Sequence, residues 1–428
     1  MNIFPLSVNR RIKDIVGSTT LAITARAKEL QAAGHDVVNF AAGEPDLDTP
    51  DFIKEAGIKA IQGGQTKYTP SIGTQDLREA IAAKFFKDNQ LTYKPAQIVV
   101  SCGAKHSLFN LIQVMVDDGD EVLFQAPFWV SYPEMVKAAG GRSVIIPTDA
   151  STGFKITAAL LKKYLTPKAK VLIINSPSNP TGVMYSKAEL EAIAAVCVER
   201  KIYVISDEIY EKLVYDTNEF VSIASLGKEI FERTITVNGV SKAYAMTGWR
   251  IGYAAGPVEI MEYVKKFQDH STSNPTSISQ AAAVAALKAS EESIEAMRKV
   301  FKARRDLMLK CLDDVPGIRY IRPEGAFYVF CDCSKFGGGA VAVKLLDDVK
   351  VAAIPGDGFG ALEYIRLSFS TSEARIKEGV DRIARWIKTN GKKYSSTRAS
   401  SFDHSKKRFR LAFDRKHSTC FAYRRTID

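Results

Sequence analysis

The sequence has few residues of the kinds that build metal sites, disulfide frameworks or membrane spans. Its 428 residues include 6 Cys and 5 His, and these form no CxxC pair and no zinc-finger spacing. No apolar stretch approaches the ~20 residues that a membrane helix needs, and the N-terminus lacks the apolar core of a secretory signal. Cys331 and Cys333 alternate in an apolar run, as strand residues do. These absences predict a cytoplasmic chain with reduced thiols, no metal and no membrane segment.

The sequence also lacks a broad excess of basic charge. It is 46% hydrophobic and 25% charged, with a net charge of +11, and it is long enough for two or three domains. The tail at 391–428 has 11 Lys/Arg against 3 Asp/Glu, so it carries +8 and leaves +3 for the rest. The body therefore gives no indication of nucleic-acid binding. The tail is rich in Ser, Arg and Lys and is predicted to be disordered, with no specified partner.

Short β-rich runs alternate with helical patterns over much of the chain. Several of these runs are apolar at consecutive positions, which is typical of strands covered on both faces. The pattern predicts an α/β domain with a mostly parallel sheet. The runs are Ile98–Val100, Val122–Phe124, Val171–Ile174, Tyr203–Ile205 and Thr234–Val237.

The pattern changes after about residue 278. A long helical region from Ser279 to about Leu312 precedes strand-like runs at 317–322 and 326–333. A glycine-rich loop, a short helix, a strand at Tyr364–Ser368 and a last helix to about Thr389 follow. This order predicts a second, smaller α+β domain. The predicted parts are an N-terminal segment of the small domain at 1–45, a large domain at 46–285, a small C-terminal domain at 286–390 and the tail at 391–428.

Chemically active residues follow these strands, at the edge where open α/β sheets bind ligands. After the first strand, the small residues Ser101–Ala104 enter a helix, whose free N–H groups favour an anion such as phosphate. Trp129 follows the second strand and is suited to stack on a planar ring. Asn179 follows the third strand in a stiff turn with two prolines. Each also has an ordinary alternative, namely a packing turn, a buried aromatic or an Asn-Pro turn.

Charged residues follow the next two strands. Asp207 ends a hydrophobic run, where a carboxylate needs a partner such as a metal, a cation or a protonated ring nitrogen, unless it caps a helix. A lysine at position 242, if placed in such a crevice near other cations and away from bulk water, would have a lowered pKa and could form a Schiff base. Arg250 can grip a phosphate, although a lone lysine or arginine is more often a surface charge. Together these residues describe a site for pyridoxal phosphate bound to an amine.

The run from Gly239 to Gly252 resembles the lysine signature of class I pyridoxal-phosphate aminotransferases at every position. Ala-Gly-Glu-Pro-Asp, Ser-Pro-Ser-Asn-Pro-Thr-Gly, Asp-Glu-Ile-Tyr and Tyr-Ile-Arg-Leu-Ser-Phe are similar to other motifs of this family, in the same order. The resemblance spans about Pro5 to Ile387 and is closest to the bacterial-type aspartate aminotransferases. It implies a fold-type-I transferase with a mixed, mostly parallel seven-stranded sheet in the large domain, and a homodimer.

The resemblance implies how the cofactor ring is held. Lys242 forms the Schiff base with pyridoxal 5′-phosphate and shuttles the proton between the substrate and the cofactor. Asp207 pairs with the protonated pyridine nitrogen, and Trp129 stacks on the ring. Tyr210 and Asn179 hydrogen-bond the 3′-oxygen of the ring.

The resemblance also implies the contacts of the cofactor phosphate. Arg250 and the backbone groups of Gly103 and Ala104 hold it, and Tyr68 reaches the phosphate of the neighbouring subunit. Gly239 stands where family members often have serine. Phosphate binding must therefore use Ser241 or backbone groups in place of that hydroxyl.

For the substrate, the resemblance implies a clamp on each carboxylate. Arg366 binds the α-carboxylate, with the Gly43 backbone nearby and with Trp129 and Asn179 lining the site. The second carboxylate is assigned to Lys105, Ser18 and Thr20. The expected reaction is transamination between L-aspartate and 2-oxoglutarate. Aromatic, alanine, methionine or prephenate specificity, or a related lyase, is the alternative.

Overall fold

The computed structural model describes residues 8–395. The described helices are α1 (Arg10–Lys13), α2 (Thr19–Ala32), α3 (Asp51–Gln62), α4 (Gln75–Asn89), α5 (Ala104–Met115), α6 (Tyr132–Ala139), α7 (Ala158–Tyr164), α8 (Lys187–Glu199), α9 (Lys228–Phe231), α10 (Val258–Asp269), α11 (Ser277–Leu287), α12 (Glu291–Asp313), α13 (Val341–Val349) and α14 (Glu373–Ser395). The described strands are β1 (Val38–Asn39), β2 (Ile98–Ser101), β3 (Glu121–Ala126), β4 (Arg142–Pro147), β5 (Ala169–Asn175), β6 (Tyr203–Asp207), β7 (Thr234–Gly239), β8 (Gly252–Ala255), β9 (Arg319–Tyr320), β10 (Tyr328–Asp332), β11 (Val351–Ala352), β12 (Ile354–Pro355) and β13 (Tyr364–Ser368).

A seven-stranded sheet in the order β2-β8-β7-β6-β5-β3-β4 organises the larger part of the chain. Strand β8 is antiparallel to both of its neighbours, and the other pairings are parallel. The predicted mixed, mostly parallel α/β sheet is therefore confirmed. Because six strands run in one direction, their carboxyl ends meet at one edge, where the amino end of β8 also lies.

Helices cover this sheet on both faces, which explains why the predicted strands are apolar at consecutive positions. In β5, Val171 and Ile173 pack into a cluster with residues of α5, α6 and α10. Leu172 and Ile174, which point the other way, pack with residues of α7 and α8. Alternate side chains of a strand face opposite sides, so both sets must be apolar in this three-layer arrangement.

Two smaller sheets belong to the chain ends. Strands β12, β13, β10 and β9 form an antiparallel sheet of four, with α12 and α14 packed in the same hydrophobic cluster. Strand β1 pairs in parallel with β11, with Val38 opposite Val351. This pairing joins the N-terminal segment to the C-terminal third. The division of the chain into a large and a small domain stays a prediction.

Several predicted element boundaries were wrong. The long helical region is two helices, α11 and α12, because Ser290 adopts an extended backbone as the N-cap of α12, followed by acidic residues in its first turn. The strand expected at 317–322 contains only the two paired residues of β9. Helix α14 continues to Ser395, so the predicted disorder was wrong for 391–395. The rest of the predicted tail lies outside the described residues.

No helix within residues 8–395 is both long enough and apolar enough to cross a bilayer.

Candidate active site

The register of the large sheet brings the predicted site residues together. Asn175, the last residue of β5, lies opposite Asp207, the last residue of β6. Strand β7 ends at Gly239, which lies opposite Gly252 of the antiparallel β8. Lys242 follows the end of β7 and Arg250 precedes the start of β8, so both stand at the carboxyl edge.

Lys242 is a half-buried amine whose Nζ donates a hydrogen bond to the carbonyl oxygen of Gly43, at 2.7 Å. Burial lowers the pKa of Lys242 to about 8, opposed by the negative charge of Glu44 and assisted by nearby Arg366 and Arg250. At neutral to mildly alkaline pH, a much larger fraction of this amine is therefore neutral than of an ordinary lysine. A neutral amine is what a nucleophile or a proton acceptor requires.

Asp207 is a buried carboxylate, 5% exposed, whose hydrogen-bond donors are neutral groups. Its Oδ2 accepts a hydrogen bond from the hydroxyl of Tyr132 at 2.6 Å, and its Oδ1 accepts a weaker one from the backbone N–H of Ile209 at 3.4 Å. Burial raises the pKa of Asp207 to about 6. No helix begins directly after Asp207, the next helical element starting at Ile223, so Asp207 is not a helix cap. A protonated ring nitrogen supplies the charge that such a carboxylate needs.

Arg366 is a guanidinium with 1% exposure and no carboxylate partner among the described residues. Its two terminal nitrogens donate hydrogen bonds to Asn179 Oδ1 at 3.0 Å and to the Ala41 carbonyl at 2.9 Å. Its Nε is buried without a partner within the described chain. Burial lowers the pKa of Arg366. An orphaned donor on a buried cation fits the carboxylate of a ligand.

Tyr210 is a buried phenol within electrostatic reach of both Asp207 and Arg366. Its hydroxyl shares a hydrogen bond of 2.9 Å with the hydroxyl of Tyr328, and the guanidinium of Arg366 lies 4.2 Å from the centre of the Tyr328 ring. Burial raises the pKa of Tyr210 well above its ordinary value. Tyr210 therefore stays a neutral phenol, which is able to donate its proton to an oxygen of a ligand.

The predicted anion site forms where α5 begins. A Cβ built on Gly103 would lie 2.4 Å from a terminal nitrogen of Arg250, and one built on Gly252 would lie 2.0 Å from the Ala104 nitrogen. Glycine at 103 thus lets the turn approach Arg250 closely, and glycine at 252 lets strand β8 approach the start of α5. Arg250 donates to the carbonyls of Cys102, at 3.1 Å, and Thr247, at 2.9 Å. A helix N-terminus beside an exposed arginine fits a phosphate.

The backbone around Gly239, where family members often have serine, is tightly packed. A Cβ at this position would lie 3.0 Å from both the Gly252 Cα and the Ile251 carbonyl oxygen. A serine would therefore push against rigid backbone of the neighbouring strand. Ser241 is buried close to this turn, and none of the side-chain hydrogen bonds found in the described chain uses its hydroxyl.

Trp129 and Lys105 form a second part of the site. Trp129 is half-buried, and the Lys105 Nζ lies 4.8 Å from the centre of its ring. Burial lowers the pKa of Lys105, and the positive charge of Arg250 contributes to the same effect. Tyr132 meets the Trp129 ring edge-on at 5.4 Å between centroids. Because Tyr132 also donates to Asp207, it links Trp129 to the carboxylate.

Three predicted site residues are not joined to this cluster within the described chain. Tyr68 is 93% exposed on the surface. The Ser18 hydroxyl caps α2 by accepting a hydrogen bond from the Leu21 N–H at 3.4 Å. The Thr20 carbonyl accepts the hydroxyl of Thr24. No hydrogen bond among the described residues joins Ser18 or Thr20 to Lys105.

Two aromatic residues of the site were missed by sequence reasoning. Tyr132 lies three positions after Trp129, so the predicted ring-binding loop offered a signal that was not used. Tyr328 lies in a strand whose five residues are all buried. The sequence around it therefore does not distinguish a functional tyrosine from an aromatic residue that only packs in the core. Its role follows only from its contacts with Tyr210 and Arg366.

Replacing Tyr132 by phenylalanine should raise the pKa of Asp207 further above 6, because the Tyr132 hydrogen bond is one of the contacts that lower it. Between the ordinary pKa of 3.8 and the folded value, the folded chain holds more protons than the unfolded chain, so its stability falls as pH rises. In the variant this fall should extend to higher pH. Urea unfolding of the cofactor-free chain between about pH 4 and 8 measures the difference.

Tyr185→Phe is the matched control for this experiment. Tyr185 is also buried, and its hydroxyl donates to Gln125 and accepts from the Ile156 N–H. Its loss should lower the free energy of unfolding by a similar amount at each pH. Parallel pH profiles for the two variants would show that Tyr132 does not act on Asp207.

The fold and the site define an enzyme that uses pyridoxal phosphate, with a reactive amine and a buried carboxylate at the edge of an α/β sheet. Residues 35–383 match the family model described as aminotransferase class I and II. The chain therefore belongs to the class I and II aminotransferase family, and it is a pyridoxal-phosphate-dependent aminotransferase.

Similar proteins cover nearly the whole of the described chain. An aspartate aminotransferase of Bacillus sp. (strain YM-2) is 50% identical over 385 residues, covering 88% of this chain and 98% of the relative. An aspartate/prephenate aminotransferase of Thermus thermophilus is 44% identical over 382 residues, covering 88% of this chain and 98% of the relative. The structure of the Thermus thermophilus aspartate aminotransferase with maleate has a TM-score of 0.86 at 43% identity, covering 89% of this chain and 100% of that one.

Proposed function

We propose that this aminotransferase transfers the amino group of L-aspartate to 2-oxoglutarate, giving oxaloacetate and L-glutamate. The observation that carries the proposal is the presence of two cations at the site, Arg366 and Lys105, that have no carboxylate partner among the described residues. A dicarboxylic substrate offers one carboxylate to each of them. The similarity to relatives named aspartate aminotransferase supports the same substrate.

Residues of this chain are proposed to contact four parts of the cofactor: the ring nitrogen, the ring face, the 3′-oxygen and the phosphate. Asp207 would pair with the ring nitrogen, Trp129 would stack on the ring, and Tyr210 with Asn179 would hydrogen-bond the 3′-oxygen. The phosphate is assigned to Arg250, Ser241, the backbone of Gly103 and Ala104, and Tyr68 of the partner subunit. When bound, pyridoxal phosphate supplies an aldehyde for covalent attachment and a ring that stabilises negative charge on the substrate Cα.

Lys242 provides the base of the reaction. Its Nζ, which has a pKa of about 8, accepts the proton from the substrate Cα and then delivers a proton to the cofactor. Its hydrogen bond to the Gly43 carbonyl holds the amine beside the segment that leads to Ala41, whose carbonyl accepts from Arg366. The base and the carboxylate clamp are thereby fixed relative to each other, which aligns the Cα proton with Nζ.

Substrate recognition is divided between two regions. Arg366 and the Gly43 backbone bind the α-carboxylate, with Trp129 and Asn179 lining the site. Lys105, Ser18 and Thr20 are proposed for the second carboxylate. Support for the last two is indirect: Thr19, between them, lies near Gly358 and Val130, the residue after Trp129.

We also propose that the enzyme is a cytoplasmic homodimer. Tyr68 is highly exposed in the single chain and is assigned to the phosphate of the neighbouring site, so each site needs both subunits. Sedimentation at several protein concentrations tests this. A monomer that retains full activity would contradict it.

Replacing Lys105 by alanine should lower kcat/KM for aspartate by about tenfold, because losing a hydrogen bond to a charged group costs ~1.5 kcal/mol. The same variant should use alanine as donor as well as the parent does, since alanine has no second carboxylate. Steady-state kinetics with both donors measure the ratio. Lys94→Ala, at an exposed position, is the control, and an unchanged aspartate-to-alanine ratio in Lys105→Ala would rule out the assignment.

The proposed function is tested by mixing the purified enzyme with aspartate and 2-oxoglutarate and measuring both products. Oxaloacetate and glutamate should appear in equal amounts. A panel of aromatic, alanine and methionine donors, with prephenate as a further acceptor, separates the other specificities. An oxo acid formed without glutamate would indicate a lyase instead.

A further inference from the structure

Gln268, near the end of α10, is a buried amide that uses every hydrogen-bonding position it has. Its side chain is 0% exposed. Its Oε1 accepts from the Ser101 hydroxyl at 2.7 Å and from Asn110 Nδ2 at 3.0 Å. Its Nε2 donates to the Ser71 carbonyl at 2.5 Å and to the Val100 carbonyl at 2.8 Å. An amide has two donors and two acceptor positions, so its orientation is fixed.

We define the phosphate turn as Ser101–Ala104. Three of the four hydrogen-bond partners of Gln268 lie in this turn or in the strand and helix on either side of it. Val100 and Ser101 end strand β2, and Ser101 opens the turn itself. Asn110 lies in α5, the helix whose N-terminus faces Arg250. Gln268 therefore ties the strand before the turn to the helix after it.

The fourth partner belongs to the segment that carries Tyr68, which we call the Tyr68 loop (residues 67–74). The Ser71 carbonyl accepts from Gln268, and the neighbouring Ile72 carbonyl accepts from the Val100 N–H at 3.0 Å. A Cβ on Gly73 would lie 2.6 Å from the Val100 side chain, so the loop packs directly on β2. The Gln268 side chain therefore contacts both the loop and the strand end.

We propose that Gln268 is a positioning residue that sets the phosphate turn and the Tyr68 loop relative to each other, and so couples phosphate binding in the two sites of a dimer. The inference rests on the proposed function, which assigns the turn to the phosphate of its own subunit and Tyr68 to that of the partner. A shift of the Gln268 amide moves both the phosphate turn and the Tyr68 loop, because Ser101 bonds to its oxygen and Ser71 bonds to its nitrogen.

The chemistry of the amide explains why glutamate cannot replace it. Nε2 faces two carbonyl oxygens, those of Ser71 and Val100. An ionised carboxylate would place negative charge against both, and a protonated one would leave one carbonyl without a donor. Gln268→Glu therefore disturbs the contact to the loop while preserving size.

The test measures the contribution of the phosphate to binding rather than turnover. Cofactor-free protein is titrated with pyridoxal 5′-phosphate and with pyridoxal, which lacks the phosphate, by quenching of tryptophan fluorescence. The dissociation constant of pyridoxal divided by that of pyridoxal 5′-phosphate reports how much the phosphate contributes to binding. In Gln268→Glu and in Ser101→Ala this ratio should fall by about tenfold, the scale of coupling between contacting groups, while pyridoxal itself binds unchanged.

Thr234→Val is the matched control, because it also removes a buried hydroxyl from a strand of the same sheet, at the end remote from the site. Its ratio should equal that of the parent. If Gln268→Glu does not fold, the ratio measured in Ser101→Ala tests the inference by itself. An unchanged ratio in the folded variants would overturn the inference, whereas a parent protein that binds neither compound would overturn the proposed function.

Coupling to the loop is tested with Tyr68→Phe, alone and combined with Gln268→Glu. The double variant should lose less phosphate affinity than the product of the two single losses, since a displaced loop no longer presents Tyr68 correctly. Strictly multiplicative losses would show that Gln268 acts on the phosphate turn alone and would contradict the link between the sites.

Discussion

Replacing Lys242 by alanine is expected to abolish transamination, with kcat falling by about 10⁴-fold or more. In the proposed reaction the Lys242 amine is both the point of covalent attachment and the base at the substrate Cα, and general base catalysis alone contributes about 10²–10⁴-fold. Neither Arg366 nor Arg250 can replace it, because a guanidinium group is a poor nucleophile. The purified variant should also lose the visible absorbance that covalent attachment gives the cofactor. Stopped-assay kinetics and an absorbance spectrum measure the two effects.

Lys242→Arg is the informative companion variant. It keeps a positive charge and a donor for the Gly43 carbonyl, so the local fold should be retained, but guanidinium is not a nucleophile at neutral pH. It should be as inactive as Lys242→Ala. Turnover at the parental rate in either variant would mean that a different lysine carries the chemistry.

Replacing Arg366 by alanine is expected to raise KM for aspartate by about 100-fold or more. Truncating one partner of a buried hydrogen-bonded charge pair costs ~2–5 kcal/mol. The guanidinium has no protein carboxylate to satisfy it among the described residues, so its removal takes away substrate binding without leaving a buried acid unpaired. KM should rise for every amino and oxo acid, since all of them carry the α-carboxylate.

The contrast with Lys105→Ala separates the two clamps. Arg366→Ala should weaken aspartate and alanine alike, whereas Lys105→Ala should discriminate between them. Arg366→Lys keeps the charge but loses the two-pronged geometry, so it should recover only part of the affinity. If KM for aspartate were unaffected by Arg366→Ala, Arg366 would be removed from the proposed site.

The residues at the strand ends were predictable from the sequence because of the architecture itself. Apolar runs separated by helical patterns indicate a parallel sheet, and the carboxyl ends of parallel strands meet at one edge. The strand pattern alone therefore places Asp207 and Lys242 together. The motif around Lys242 then indicates the cofactor.

Other features of the site depend on contacts that no local pattern records. Tyr132 reaches Asp207 across 75 positions of sequence, and Gln268 reaches Ser101 across 167. Their side chains look like ordinary buried residues of amphipathic helices. Their roles depend on which helices pack together and at what angle.

The sequence by itself determined the class of fold and predicted Lys242 as the reactive lysine and Asp207 as its carboxylate, because these follow from strand patterns and from a contiguous motif. Only the tertiary structure decided that Arg366 is buried without a carboxylate partner in the described chain, that Tyr132 bonds Asp207 and that Gln268 ties the phosphate turn to the Tyr68 loop. Burial and hydrogen bonding between distant segments set these properties, and both arise only when the layers pack.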